Sequence, residues 1–185
     1  MKHSALMFAV AATVFAQDTP IDTAHSTITI HVLKAGLLSA AGHDHWVDAP
    51  ISSGTIRESP PSVEFTVETA RMKVKPDPKL DAKTQAQIQK DMEEMALDTA
   101  RFPRITFRST RVEKASEGKW MVTGDLAMHG VTKPVTVTVT QSGGAYVAHS
   151  LLKQSDFGMK PISVGGGMIK VKNEIDLDFH IVPGK

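Results

Sequence analysis

The chain has 185 residues, of which 41% are hydrophobic and 22% are charged, and its formal net charge is +1. That length and composition fit a single globular domain, and the near-neutral charge without a basic run argues against nucleic acid as a partner. The chain contains no cysteine, so an apolar core rather than a disulfide framework must provide its stability.

Residues 1–16, MKHSALMFAVAATVFA, have the pattern of a secretory signal peptide. Lys2 supplies the positive end, and the apolar stretch that follows is too short to span a bilayer. A buried N-terminal helix is the alternative interpretation. We expect cleavage before Gln17 and export to the periplasm, which leaves a mature domain over residues 17–185. No second apolar segment is long enough for a membrane helix, so we expect no integral membrane segment in the mature chain.

Most of the mature chain shows the two-residue alternation that is typical of half-buried strands. In the last of these segments charged residues occupy every second position, which excludes a strand that is buried on both faces. The strands predicted in this way cover residues 27–34, 55–58, 63–67, 104–112, 119–128, 133–141, 145–153 and 168–182. They predict a mainly β protein, an antiparallel eight-stranded β-barrel, with a β-sandwich as the alternative architecture.

One segment breaks the alternation. Between Pro78 and Thr99 the composition turns to Lys, Gln, Asp, Glu, Ala and Met, and Ile88, Met92 and Met95 fall at helical spacing. We expect one helix here, packed at an end of the barrel, where its apolar residues would form a lid.

Several longer stretches carry a family resemblance. They are DTAHSTITIHVLKAGLLS at 22–39, MALDTARFPRITFRST at 95–110, VTGDLAMHGVTKPVTVTV at 122–139 and QSDFGM at 154–159. In this order they strongly resemble the YceI-like family of periplasmic polyisoprenoid-binding proteins. The resemblance implies an extended, lipocalin-like barrel whose apolar lumen holds a long isoprenoid chain, with polyprenyl or ubiquinone-like lipids as the ligand class.

The inward positions of the predicted strands agree with such a ligand, because they are nearly all aliphatic or aromatic. The same side chains would equally fill the core of a small barrel, and the sequence does not distinguish a filled lumen from a hollow one. The predicted ligand-binding residues of the lumen are Ile30, Val32, Phe65, Val67, Ile105, Phe107, Val122, Leu126, Val135, Val137, Val171, Ile175, Leu177 and Phe179.

The segment that contains His43 and His45 departs from the pattern of better-known family members, which carry a glycine followed by an aromatic residue there. Two residues apart on a strand, both imidazoles would project from one face. Three interpretations stay open. The pair satisfies backbone groups beside a glycine turn, or it contacts a ligand head group such as a quinone ring together with Trp46, or it begins a Zn or Cu site completed by His31 or His129.

No G-x-S-x-G or H-E-x-x-H motif marks a catalytic site, so we expect a protein that is not an enzyme. The main hypothesis is a periplasmic carrier of an isoprenoid lipid or quinone, with no other cofactor. One alternative is a metal-binding or redox protein built on His43 and His45. The other is a stress or respiratory-chain module with a packed lumen, acting through a partner such as a membrane cytochrome. A homodimer is compatible with the sequence, although no residue argues for one.

Overall fold

The computed structural model describes residues 18–36, 43–164, 166 and 168–185. The expected signal peptide, residues 1–16, lies outside the described residues. Within them, no helix is long and apolar enough to cross a membrane.

The described residues form one antiparallel sheet of twelve strands and a single α-helix. Eight of the strands have eight residues or more, and four are short. The strands are β1 (Thr19–Pro20), β2 (Thr27–Ala35), β3 (His45–Asp48), β4 (Ile51–Glu58), β5 (Pro61–Glu68), β6 (Lys73–Val74), β7 (Arg104–Ser116), β8 (Lys119–Met128), β9 (Val131–Ser142), β10 (Ala145–Lys153), β11 (Ser163–Val164) and β12 (Ile169–Ile181).

The hydrogen-bonded order is β1-β4-β5-β7-β8-β9-β10-β12-β2-β3-β6, and β11 pairs with β12. Strands β3 and β4 therefore lie near opposite ends of this order, yet only Ala49 and Pro50 separate them in the chain. Together β3 and β4 form one bent strand. β5 and β6 form a second bent strand, because β5 pairs with β4 while β6 pairs with β3. Counting each bent strand once, eight strands curl round a common lumen, as the sequence predicted.

Main-chain hydrogen bonds hold the bent strands in place. The Ala49 N–H donates to the Ile28 carbonyl at 2.9 Å. At the other side of β4, the β1 segment bridges to the end of the chain, where the Gly184 N–H donates to the Pro20 carbonyl at 2.6 Å. Because strand edges attract other chains, these short segments also protect the ends of the sheet.

The stretch at 122–139 contains one of the two-residue hairpins of the barrel. His129 and Gly130 connect β8 to β9 and have φ angles of 52° and 76°. Two-residue loops with positive φ at both positions match the right-handed twist of the flanking strands, which explains the Gly. The ring of Phe102 covers this turn, and a Cβ on Gly130 would lie 2.7 Å from its Cε1 atom.

The predicted helix forms over Ala82–Asp91, α1, and continues as a π-helical turn over Met92–Ala96. Asp81 caps its start by accepting a hydrogen bond from the Thr84 N–H. Gln89 fixes the helix to the barrel, since its side chain accepts from the Val74 N–H and donates to the Met72 carbonyl. The helix therefore lies at one end of the barrel, which we call the helix end.

Met95, which the sequence analysis grouped with Ile88 and Met92 as a lid residue, lies on the exposed side of this segment. Met95 is 56% exposed, whereas Ala96 and Leu97 are buried beside Met92. In the π turn the Leu97 N–H bonds to the Met92 carbonyl, five residues back, so each turn takes more residues than the helical spacing assumes. This rotates Met95 away from the barrel and brings its successors inward.

Met72, Leu97 and Phe157 are buried at the helix end, and we expect this plug of large side chains to carry much of the stability. Phe157 is 2% exposed, so Phe157→Ala should lower the free energy of unfolding by about 3–5 kcal/mol through lost burial and a new cavity. Leu151→Ala, at a position that is 58% exposed, is the matched control and should change it by less than about 0.5 kcal/mol. Urea denaturation measures both, and equal losses would contradict the assignment of the plug.

Candidate ligand-binding cavity

The barrel encloses a cavity of about 450 Å³. That volume lies within the range of about 300–1,000 Å³ typical of small-molecule sites. Its wall is almost entirely aliphatic and aromatic, and every long strand contributes to it. The lining residues are Ile28, Ile30, Ala49, Ile56, Arg57, Glu58, Pro61, Ser62, Val63, Phe65, Val67, Ile105, Phe107, Val112, Trp120, Val122, Leu126, Met128, Val135, Val137, Val139, Gln141, Tyr146, Ala148, Ser150, Leu152, Ile175, Leu177, Phe179 and Ile181.

The inward side chains do not fill this lumen. Val135, Val137 and Val139 point inward along β9, yet all three stay only half-buried because no side chain from the opposite wall covers them. On that opposite wall Phe65 stacks on Phe107 at a centroid distance of 5.4 Å. The structure thus answers the question that the sequence left open, since the lumen is hollow.

The two ends of the cavity differ. At the helix end Met128 and Val67 are buried, and behind them lie Met72, Leu97 and Phe157, which are also buried. At the opposite end the lining includes Glu58, Pro61 and Gln141, all of which are exposed. The cavity is therefore closed by the plug beneath the helix and opens at the end opposite the helix, which we call the mouth.

The mouth combines two aromatic rings with polar groups. Trp120 and Tyr146 meet edge to face there, with their ring centroids 5.6 Å apart. Gln141 lies opposite Tyr146 in the β9–β10 pair. Glu58 ends β4 on the face that Ile56 turns to the lumen, so its carboxylate belongs to the rim.

The predicted lumen residues lie together around this cavity, with two exceptions. Val32 is half-buried at the helix end, where it pairs with His45, and it does not border the cavity. Val171 also lies outside the lining, because the register of β12 against β2 shifts between Val171 and Ile175. A bulge of that kind cannot be read from the alternation.

The structure does not bring the predicted head-group residues to the cavity. His43 lies at the helix end, where its Nδ1 atom is 3.1 Å from a carboxylate oxygen of Asp77. His45 begins β3 and is partly buried, and Trp46 faces outward, where its ring stacks on His31 at 3.9 Å. None of His43, His45 and Trp46 lines the lumen, and the predicted lid residues Ile88, Met92 and Met95 do not line it either.

The described residues contain no group of three or more His, Cys, Asp or Glu side chains that is arranged to hold a metal ion. The two candidates for a third ligand are engaged elsewhere. His31 stacks on Trp46 on the outer face, and the ring of His129 packs on Phe102 at 4.3 Å.

The residues of the mouth were not predicted from the sequence. Alternation alone places Trp120 on the face of Val122, and Gln141 on the face of Val139. The alternation therefore indicates that both side chains face the lumen, but no local sequence pattern indicates which end of the barrel is open.

The fold and the cavity define a class, the small lipocalin-like barrels with one open mouth. The model of the YceI-like domain matches residues 20–182, and the chain belongs to the YceI-like family. A UPF0312 protein of Pseudomonas savastanoi is 37% identical over 99 residues, which cover 48% of this chain and 50% of that protein. The chain thus matches about half the length of this relative. A UPF0312 protein of Shewanella denitrificans is 28% identical over 172 residues, covering 86% and 85% of the two chains.

Solved structures share the fold at low sequence identity. A polyisoprenoid binding domain from Saccharophagus degradans, implicated in plant cell wall breakdown, has a TM-score of 0.60 and 13% identity, covering 90% of this chain and 97% of that one. Burkholderia cenocepacia BcnA has a TM-score of 0.57 and 20% identity, covering 87% and 98%.

The environment of His45 predicts a pH dependence of stability. Burial lowers the pKa of the His45 imidazole, and His43 lowers it further, while Asp77 and Asp44 act in the opposite direction. The unfolded chain therefore takes up this proton first as the pH falls below about 6.5, so stability is full above that pH and declines below it.

When the pH is lowered from about 8 to about 5, we expect the free energy of unfolding to fall less in His45→Gln than in the wild type, because the variant lacks this imidazole. Urea denaturation at both pH values measures the difference. His180→Gln, at an exposed position, tests whether any histidine substitution has the same effect. An unchanged decline in His45→Gln would contradict the role of burial.

Proposed function

We propose that this protein is a non-enzymatic carrier that binds the tail of an isoprenoid lipid in the barrel lumen. The observation that carries the proposal is the hollow apolar cavity. Among the described residues that line it, Arg57 and Glu58 are the only charged side chains, and both are near the mouth. A hydrocarbon tail needs such a wall, since it offers no polar group for recognition along its length.

Burial of the tail supplies the affinity. Each buried methylene contributes roughly 0.8 kcal/mol, so even a few isoprene units offset the entropic cost of association. Tail binding would also restore the contacts that Val135, Val137 and Val139 lack in the hollow lumen. A branched, flexible chain suits this wall of mixed aliphatic and aromatic side chains.

Family membership and a solved neighbour support the ligand class. The domain from Saccharophagus degradans is named for polyisoprenoid binding, and its barrel resembles this one. A periplasmic location follows from the predicted signal peptide. A membrane cytochrome as partner of the alternative interaction module, and a homodimer, stay predictions that the binding step does not require.

Native mass spectrometry of the purified protein tests the proposal. We expect an excess mass that denaturation releases as an isoprenoid lipid, or the appearance of a complex when geranylgeraniol is added to the empty protein. A bare mass in both experiments would overturn the proposal and favour the interaction module.

A substitution that obstructs the lumen should abolish binding without unfolding the barrel. Val137→Trp places an indole in the cavity, where the open volume accommodates it, so geranylgeraniol should no longer bind. Thr138→Trp is the matched control, because Thr138 is the next residue on β9 and is exposed on the outer face. We expect the control to bind like the wild type, and circular dichroism verifies both folds. Wild-type binding by Val137→Trp would place the ligand elsewhere.

A further inference from the structure

A three-stranded ribbon extends past the end of β10 at the helix end of the barrel. Strand β10 ends where Lys153 pairs with Glu174 of β12. The start of β12, residues 169–171, lies instead between β11 and the last residues of β2. The Val171 N–H also donates to the Ile162 carbonyl at 3.1 Å. The ribbon is thus held by main-chain hydrogen bonds at the closed end, opposite the mouth.

The ribbon exposes apolar side chains. Exposure alternates along its central strand, where Met168, Lys170 and Lys172 are exposed and the residues between them are half-buried. Met168 is 48% exposed, and Val164 at the end of β11 is 43% exposed. The end of β2 fixes this turn, since a Cβ on Gly36 would lie 2.5 Å from the Met168 carbonyl oxygen. Exposed apolar side chains beside polar ones are typical of a binding surface.

The same ribbon carries an excess of positive charge. Lys160, Lys170 and Lys172 are exposed, and none of them forms an ion pair within the part of the chain that the structure describes. Lys170 lies opposite Ser163 of β11, beside the exposed Val164. Cations and apolar side chains therefore share one narrow surface.

Carboxylates on the neighbouring segments do not cancel this charge, because each is matched by a lysine of its own. These are Glu174 with Lys153 at 4.0 Å, Asp156 with Lys133 at 3.7 Å, and Asp44 with Lys34, whose main-chain N–H donates to it at 2.8 Å. Asp176 and Asp178 lie farther along β12, about 13 and 20 Å beyond Lys172 at the usual rise per residue. Both distances exceed the Debye length of about 8 Å at physiological ionic strength.

From this combination we infer that the ribbon docks the protein on an anionic lipid surface. Val164 and Met168 enter the headgroup layer, and the lysines bind lipid phosphates. A stable protein partner needs about 800 Å² on each side, which a tip of two short strand ends does not offer. A bilayer has no such requirement, because it deforms around a small apolar tip. The inference does not depend on tail binding in the lumen, and docking at the closed end leaves the mouth free.

Cosedimentation with lipid vesicles tests the docking. We expect the protein to bind phosphatidylcholine vesicles that contain about 30% phosphatidylglycerol, and to bind pure phosphatidylcholine vesicles far less, because the lysines need an anionic surface. About 0.5 M salt should release it, since salt screens this attraction. Equal binding to the two kinds of vesicle, or no binding to either, would overturn the inference.

Substitution of the lysines locates the charged contact. A lysine near an anionic surface contributes about fivefold in affinity, so Lys170→Ala combined with Lys172→Ala should weaken vesicle binding by about tenfold to thirtyfold. Lys114→Ala combined with Lys119→Ala is the matched control, because it removes the same charge from exposed positions at the mouth. We expect the control to bind like the wild type. Equal losses in the two double variants would show a general charge effect and contradict the site.

The apolar contact has its own matched pair of substitutions. Met168→Ser should weaken vesicle binding by about threefold to tenfold, because its thioether no longer enters the headgroup layer. Met121→Ser changes a methionine of similar exposure, 45%, on β8 and should leave binding unchanged. Equal effects of the two substitutions would contradict insertion of the ribbon.

A fluorophore reports which end meets the bilayer. The chain contains no cysteine, so one introduced thiol carries an environment-sensitive label at a single position. We expect the label on Ser163→Cys, in β11, to shift its emission to the blue on phosphatidylglycerol vesicles, and the label on Ser116→Cys, beside the mouth, to stay unchanged. The opposite pattern would overturn the inference.

Binding of geranylgeraniol by the Lys170→Ala and Lys172→Ala variant separates the two proposals. We expect it to equal that of the wild type, since the ribbon lies outside the lining of the cavity. A wild type that binds geranylgeraniol but no vesicle would contradict the docking alone, and one that binds vesicles but no geranylgeraniol would contradict the proposed function alone.

Discussion

The curling of one sheet around itself is the constraint on which the rest of this protein depends. Two bent strands make it possible, and the first of them turns at Ala49 and Pro50, where the chain leaves β2 and joins β5. Proline lacks an N–H donor, so it fits a point at which a strand changes its partner. An open sheet with the same alternation would bury its apolar face against other elements, and it would contain no cavity.

The closed barrel has two ends that differ in how they are packed. This difference determines the end at which the cavity is open. Large buried side chains such as Phe157 and Met72 fill the helix end, where the chain makes its longest excursion from the barrel. At the other end two-residue turns join β4 to β5, β7 to β8 and β9 to β10, and the inward positions carry rings and polar groups. A ligand that entered here would place its apolar part in the barrel and keep its polar part near water.

A hollow lumen has an energetic consequence. Side chains that face empty space lose part of the dispersion attraction that a close-packed core provides. The plug and the continuous hydrogen-bond ladder offset that loss, so the barrel keeps its shape without a filled interior. A bound tail would recover the missing contacts and stabilise the folded state in proportion to its affinity and concentration. Binding and stability are thus linked through the same wall.

The sequence by itself determined the strands, the helix and most of the cavity wall, because alternation and helical spacing are local properties of the chain. Val137 and Phe179 were assigned inward from such spacing and do line the lumen. Only the tertiary structure decided that the lumen is hollow and that its mouth lies beside Trp120, away from His43. Those facts depend on the radius of the closed sheet and on which turns meet at each end. Residues far apart in the chain set both, so no local pattern records them.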